Sequence, residues 1–146
     1  MSKSLATWFT PSLQTISRSA GRSAVAAAAY RACVKLVDQT TGLIHDYTRK
    51  GGHVETILIG ASDISELWNQ AEASENRKNS TVARELMIPL PDQWTDNERR
   101  ECVRDIAQHL RDTYGVAVGA SIHGPGRHDR NNHVHMMFTT RAVDND

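Results

Sequence analysis

Ala117-Val118-Gly119-Ala120-Ser121-Ile122-His123 and Asn132-His133-Val134-His135-Met136-Met137-Phe138 read as the two strands of a β-hairpin that carries three histidines. Side chains alternate along a strand, so His133 and His135 share one face while Val134, Met136 and Phe138 take the other. In the first strand Ala117, Gly119, Ser121 and His123 form one face, and Val116, Val118, Ala120 and Ile122 the other. Residues 124–131 between them are rich in glycine, proline and polar side chains, the chemistry of a surface turn. Antiparallel pairing then sets His123 opposite the His133/His135 pair, and three neutral imidazoles on one surface form a site for a divalent metal. A His-x-His pair alone is most often plain polar alternation. The third histidine favours a ligand role, as do the small Ala117, Gly119 and Ser121, which leave floor space on that face.

With 146 residues the chain accommodates one domain with a core of its own. The 39% hydrophobic content and zero formal charge are those of a soluble globular protein, expected in the cytoplasm. No apolar run approaches the ~20 residues of a membrane span, and the N-terminus lacks a secretion-signal pattern. Cys33 and Cys102 both fall in predicted helices without metal-ligand spacing, which reads as two buried thiols. The neutral total hides an asymmetry. Residues 1–50 hold seven Lys/Arg against two acids, and residues 51–115 hold twelve acids against seven bases. A basic N-terminal third is an ordinary solvated face or a surface for a phosphate-rich partner, and composition does not separate the two.

Along the chain, Leu5 to Ile16 reads as a strand, with Pro11 arguing for a sheet edge or a bulge. A serine-rich turn precedes a helix from Ala24 to about Val37, strongly favoured by four consecutive alanines. Its stripe of Val25, Ala28, Ala29, Ala32, Cys33 and Leu36 faces the sheet, and Tyr30 lies well to one side of it among small residues. A helical tyrosine there is most often a boundary anchor. The segment from Lys35 to Tyr47 suggests a short hairpin excursion, followed by a basic loop and a strand from His53 to Ile59. Asp63 and Glu66 suit a helix start, extended to about Asn79, with Glu72, Glu75, Arg77 and Lys78 on a solvated outer face. The strand at residues 83–91 places Glu85, Met87 and Pro89 together, and that acid matters only if its face is the one with the histidines. Thr95 and Glu98 form a capping pattern for a helix to Tyr114, ended by Gly115. That helix carries Val103, Ile106 and Leu110 inside and Arg99, Arg100, Arg104 and Arg111 outside. The order β-α-(ββ)-β-α-β-α-β-β suggests an α+β fold, an antiparallel β-sheet with helices packed on it, with the histidine hairpin central.

A strand His-hydrophobic-His, a third histidine upstream and a tyrosine on an N-terminal helix together resemble the HUH single-strand endonucleases. The stretch from Ser17 to Ala32 resembles the opening of MobA/MobL-family mobilisation relaxases. Gly42-Leu43-Ile44-His45-Asp46-Tyr47, the Ala83-to-Pro91 strand, Ile122-His123 and Asn131-Asn132-His133-Val134-His135 follow in the same order. The similarity runs over about residues 15–140. It implies a palm-like catalytic domain over residues 1–146 that nicks one DNA strand at an origin of transfer and transfers it through a 5′-phosphotyrosyl intermediate. The roles implied are Tyr30 as nucleophile, His123, His133 and His135 as metal ligands, and Glu85 as a supporting acid. Relatives can carry a second acid where this chain has Met87. They also usually continue well past the histidine strand, so the domain is expected to be truncated at its C-terminus. Imidazoles suit manganese, nickel, cobalt or zinc, while the resemblance implies Mn or Mg. Partners implied are single-stranded DNA, relaxosome and coupling proteins. Arg18, Arg22, Arg31 and Lys35, around the tyrosine, are the expected backbone contacts.

Three neutral ligands would leave a cation its full charge for a phosphate. His128 in the hairpin loop rivals His123, and Tyr47 rivals Tyr30. The competing classes are a metal-dependent hydrolase acting through water, and a non-catalytic DNA-binding accessory protein. The first cleaves without a protein–DNA adduct, and the second neither cleaves nor needs metal.

Overall fold

The computed structural model describes residues 11–125 and 131–144. Trp8, Phe9 and His128 lie outside them. Five strands form one antiparallel sheet: β1 (Ser12–Ser17), β4 (His53–Ile59), β5 (Thr81–Pro89), β6 (Val118–His123) and β7 (His133–Phe138). Their spatial order is β1-β5-β7-β6-β4, so the histidine hairpin is internal and β1 is an edge strand. Its pairing with β5 slips between Ile16 and Ser17, and Pro11 stands just before it, where its missing N–H disrupts no ladder. A separate two-stranded ribbon pairs β2 (Lys35–Val37) with β3 (Ile44–Asp46).

Among the described residues three α-helices cover the sheet: α1 (Ala24–Ala32), α2 (Ile64–Ala73) and α3 (Asp96–Tyr114). On one face the alanines of α1 and Leu67 and Trp68 of α2 pack with Ile16, Ala83, Ala117 and Met137. On the other, Val103 and Ala107 of α3 pack with Val118, Ala120, Ile122, Val134 and Met136. The strand alternation therefore sorts residues between two cores, and the face carrying the histidines is the one under α1 and α2. No helix among the described residues is long and apolar enough to cross a membrane.

The structure corrects several sequence expectations. The tyrosine helix stops at Ala32 rather than near Val37, because Cys33 adopts the left-handed conformation (φ 56°) and its N–H caps the Ala29 carbonyl. Leu36 and Val37 are freed to pair with β3. Cys33 is thus a helix cap, and Cys102 lies within α3, both thiols being free and half-buried. α2 ends at Ala73, not near Asn79. The carbonyls of Glu72, Glu75 and Arg77 accept from the Arg18 guanidinium instead of continuing a helix. Glu72, expected on a solvated face, is 3% exposed. It receives Arg18 on Oε1 and the Ala24 N–H on Oε2 at 2.6 Å. Arg99, expected outside, is buried and donates to the Pro91 and Trp94 carbonyls and to Asp96. Arg111 is half-buried and ties the carbonyls of Gly115 and Val143. The floor beside the histidines is also less open than the small residues suggest: a Cβ on Gly119 would sit 3.4 Å from the indole of Trp68, so glycine there makes room for α2.

Candidate active site

Register decides which polar side chains meet. Across the central hairpin His123 pairs with His133 and Ser121 with His135. Across β5 and β7, Met87 pairs with His135 and Pro89 with His133. Glu85, two residues before Met87, therefore shares the histidine face. The rings of His123, His133 and His135 lie with centres 5.0–5.4 Å apart. Ligands on one cation, with metal–nitrogen distances of about 2.1 Å, would put ring centres roughly 4.5–5.3 Å apart. The spacing and the donor type suit a divalent ion.

The nitrogens are committed unequally. His133 Nδ1 lies 3.0 Å from the Asn131 carbonyl and His135 Nδ1 3.1 Å from Glu85 Oε2. Donation from Nδ1 to oxygen leaves the lone pair on Nε2 and fixes the ring's orientation, the arrangement in which a histidine ligates. His123 differs. Its Nε2 donates to the carbonyl of Arg31 at 2.6 Å. Among the described residues no three ligand-type side chains already close on one point, and with Nε2 donating to Arg31 the lone pair of His123 is on Nδ1, unlike that of the other two. Burial, with smaller contributions from Lys50 and the neighbouring histidines, pushes the His123 imidazole down to about 4 against the favourable Arg31 bond. It is therefore neutral at pH 7, as a ligand must be.

Arg31 links the cluster to the tyrosine helix. Its guanidinium pairs with both oxygens of Glu85, Nε with Oε2 and Nη2 with Oε1 at 3.0 Å. Burial raises the Glu85 carboxyl, but bonds from His135 and Arg31 outweigh it and hold the group at about 2. So the residue next to Tyr30 grips a carboxylate that grips His135, while its carbonyl holds His123. Tyr30 itself stands on the histidine side of the sheet and is 47% exposed. It lines a groove of about 590 Å³ with Arg22, Thr41, His45 and Tyr47. Tyr47 meets it edge to face at 5.1 Å, and Lys50 Nζ lies 4.3 Å above its ring.

Of the four cations expected to hold DNA, two are occupied internally. All five Arg18 N–H groups go to Glu72 and the carbonyls of residues 72, 75 and 77, and Arg31 is held by Glu85. Arg22, with one long contact to the Thr15 carbonyl, and the exposed Lys35 keep their charges outward. Sequence reading passed over two further residues. His53 sits opposite His123 in the β4–β6 pairing, ring centres 5.9 Å apart, and donates or accepts at Thr56 Oγ1. Lys50 was visible only as part of a basic loop.

A histidine-lined sheet face under a tyrosine helix defines the class of domain, and comparison with known proteins identifies it further. The pattern of the MobA/MobL family matches residues 22–146, and the chain belongs to that family. It is 48% identical over 118 residues to mobilization protein MobL of Acidithiobacillus ferridurans, covering 78% of this chain and 31% of that protein. It is 34% identical over 155 residues to conjugal transfer protein TraA of Agrobacterium fabrum, covering 92% and 14%. The chain thus spans about a third or less of the length of these curated relatives. A solved structure from work on the molecular basis of vancomycin resistance transfer in Staphylococcus aureus superposes with a TM-score of 0.84. Its identity is 29%, and the match covers 93% of this chain and 72% of that one.

Proposed function

We propose that this domain nicks one DNA strand at a transfer origin and carries the new 5′ end on Tyr30, for plasmid mobilisation. The phenol oxygen attacks the scissile phosphorus, the P–O3′ bond breaks, and the phenolic proton is balanced by the 3′-hydroxyl that leaves. The ester formed is close in energy to the one broken, so the strand can be rejoined or passed to another 3′ end. His123, His133 and His135 would hold a divalent cation, manganese or magnesium, which when bound supplies positive charge to the phosphate oxygens. Glu85 orients His135 and is itself kept ionised by Arg31. Lys50 packs its ammonium on the face of the phenol ring and so helps to fix its position, and Arg22 and Lys35 are the outward cations for single-stranded DNA.

The observation that carries this reading is the double grip of Arg31, which fastens the turn bearing Tyr30 to the histidine cluster. The test is a set of single-stranded oligonucleotides tiling the mobile element's origin region, incubated with manganese and run on a denaturing gel. Wild type is expected to form a denaturant-stable adduct, reduced at least about a thousandfold in Tyr30→Phe and retained in Tyr47→Phe. An adduct surviving in Tyr30→Phe moves the nucleophile to another residue. Cleavage with no adduct in the wild type replaces strand transfer with hydrolysis by water.

A further inference from the structure

We infer that a second groove, lined by Arg77, Arg84 and Arg141, holds the phosphodiester backbone of the single strand where it runs on past the groove of Tyr30, an inference that rests on the proposed nicking activity. The groove has a volume of about 420 Å³ and lies where the segment after α2 meets β5 and the residues following β7. Its lining is polar throughout. Besides the three arginines it presents the hydroxyls of Ser80, Thr81 and Thr140, and one acid, Glu75. That acid is already satisfied: Arg141 Nε lies 2.6 Å from Oε2 and Nη2 3.2 Å from Oε1. Arg77 acts on Glu75 only through its charge, and the carboxylate's direct hydrogen bonds go to Arg141. Three guanidiniums against one paired carboxylate leave an excess of two positive charges, with neutral donors between them. This is the mixture that binds phosphate oxygens without reading a base.

The occupant follows from continuity. Arg18 lines the tyrosine groove, and the same guanidinium donates to the Glu75 and Arg77 carbonyls at 2.8 and 3.0 Å. Those two residues line the arginine groove. One neutralised side chain thus ties the tyrosine groove to the backbone of two residues of the arginine groove, and the inferred path of the strand runs along it from Tyr30 toward Arg77. The arginines come from the acidic middle of the sequence and from its end, so the charge asymmetry of the N-terminal third does not reveal them.

The test compares wild type with Arg77→Ala/Arg84→Ala in the full chain by fluorescence anisotropy, using fluorescein-labelled mixed-sequence single strands of 10 and 30 nucleotides at several salt concentrations. The double variant should bind the 30-mer about tenfold more weakly. Its slope of log affinity against log salt should be shallower by roughly 1.4, since each phosphate contact to a single strand contributes about 0.7. Binding of the 10-mer and its salt slope should be unchanged, and Arg77→Lys/Arg84→Lys should restore the 30-mer slope. An unchanged 30-mer slope, or equal weakening on both lengths, overturns the inference. Adduct formation at saturating DNA is scored separately, so loss of the nicking reading and loss of the groove are distinguishable.

Discussion

A carboxyl group as buried as Glu85, which is 2% exposed, would resist ionising without partners. Here the His135 and Arg31 bonds reverse the sign and hold it near 2, below the 4.5 of an ordinary glutamate. The consequence is a defined pH window. Above 4.5 the stabilisation is fully present, and it is lost as pH falls through the folded value near 2. A difference of that size corresponds to about 3 kcal/mol. Urea melts between pH 5 and 2 should show stability falling steeply in the wild type and much less in Glu85→Gln. Identical pH slopes would mean that Glu85 is not ionised in the folded protein. Alternation grouped Glu85 with Met87 and Pro89, but that this is the histidine face followed only from the β5–β7 register. Its guanidinium partner was not legible either, because Arg31 reads as one more member of a basic N-terminal stretch.

At the scale of elements, the tyrosine helix is short and held at both ends by groups distant in sequence. Its first turn is anchored by Glu72, whose carboxylate accepts the Ala24 N–H and faces the positive end of the helix dipole. Removing it leaves Arg18 without its carboxylate and an orphaned N–H, a defect typically worth about 3 kcal/mol. Glu72→Ala should therefore lower unfolding free energy by roughly that amount, whereas the exposed Glu101→Ala on α3 should change it by less than about 0.5 kcal/mol. Chemical denaturation of the two variants decides this. Element boundaries were legible where local chemistry sets them. Thr95 and Glu98 form the reciprocal capping box, and Gly115 ends α3 with φ 73°. The boundaries missed are those set from outside, such as the end of α2, where Arg18 takes the carbonyls.

For the molecule as a whole, the imidazole cluster couples to global stability because its ligands come from adjacent central strands, β6 and β7. A ligand that binds only the folded state adds about 2.7 kcal/mol at one hundred times its dissociation constant. For a domain of this size that is a rise of roughly 8 °C in Tm. Manganese should raise the melting temperature by this order, chelation should reverse it, and His135→Ala should lose most of the shift. Differential scanning calorimetry of both proteins checks it. An equal rise in His135→Ala would move the cation elsewhere. The strand alternation also explains why sequence patterning worked so well here: Val118, Ala120, Ile122, Val134 and Met136 all go to the core under α3, which leaves the histidines together on the opposite face.

The sequence alone determined the order of elements, the antiparallel hairpin and the sharing of one face by three histidines, because a two-residue repeat and a capping pattern are local and act within a few residues. Tertiary structure alone decided which charges are available. Arg31 meets Glu85, and Arg18 meets Glu72, in each case 54 residues apart. Such pairings depend on strand order and on which face a helix covers. No local period encodes them, and they turn two expected DNA contacts into internal struts while leaving Lys35 and Arg77 exposed.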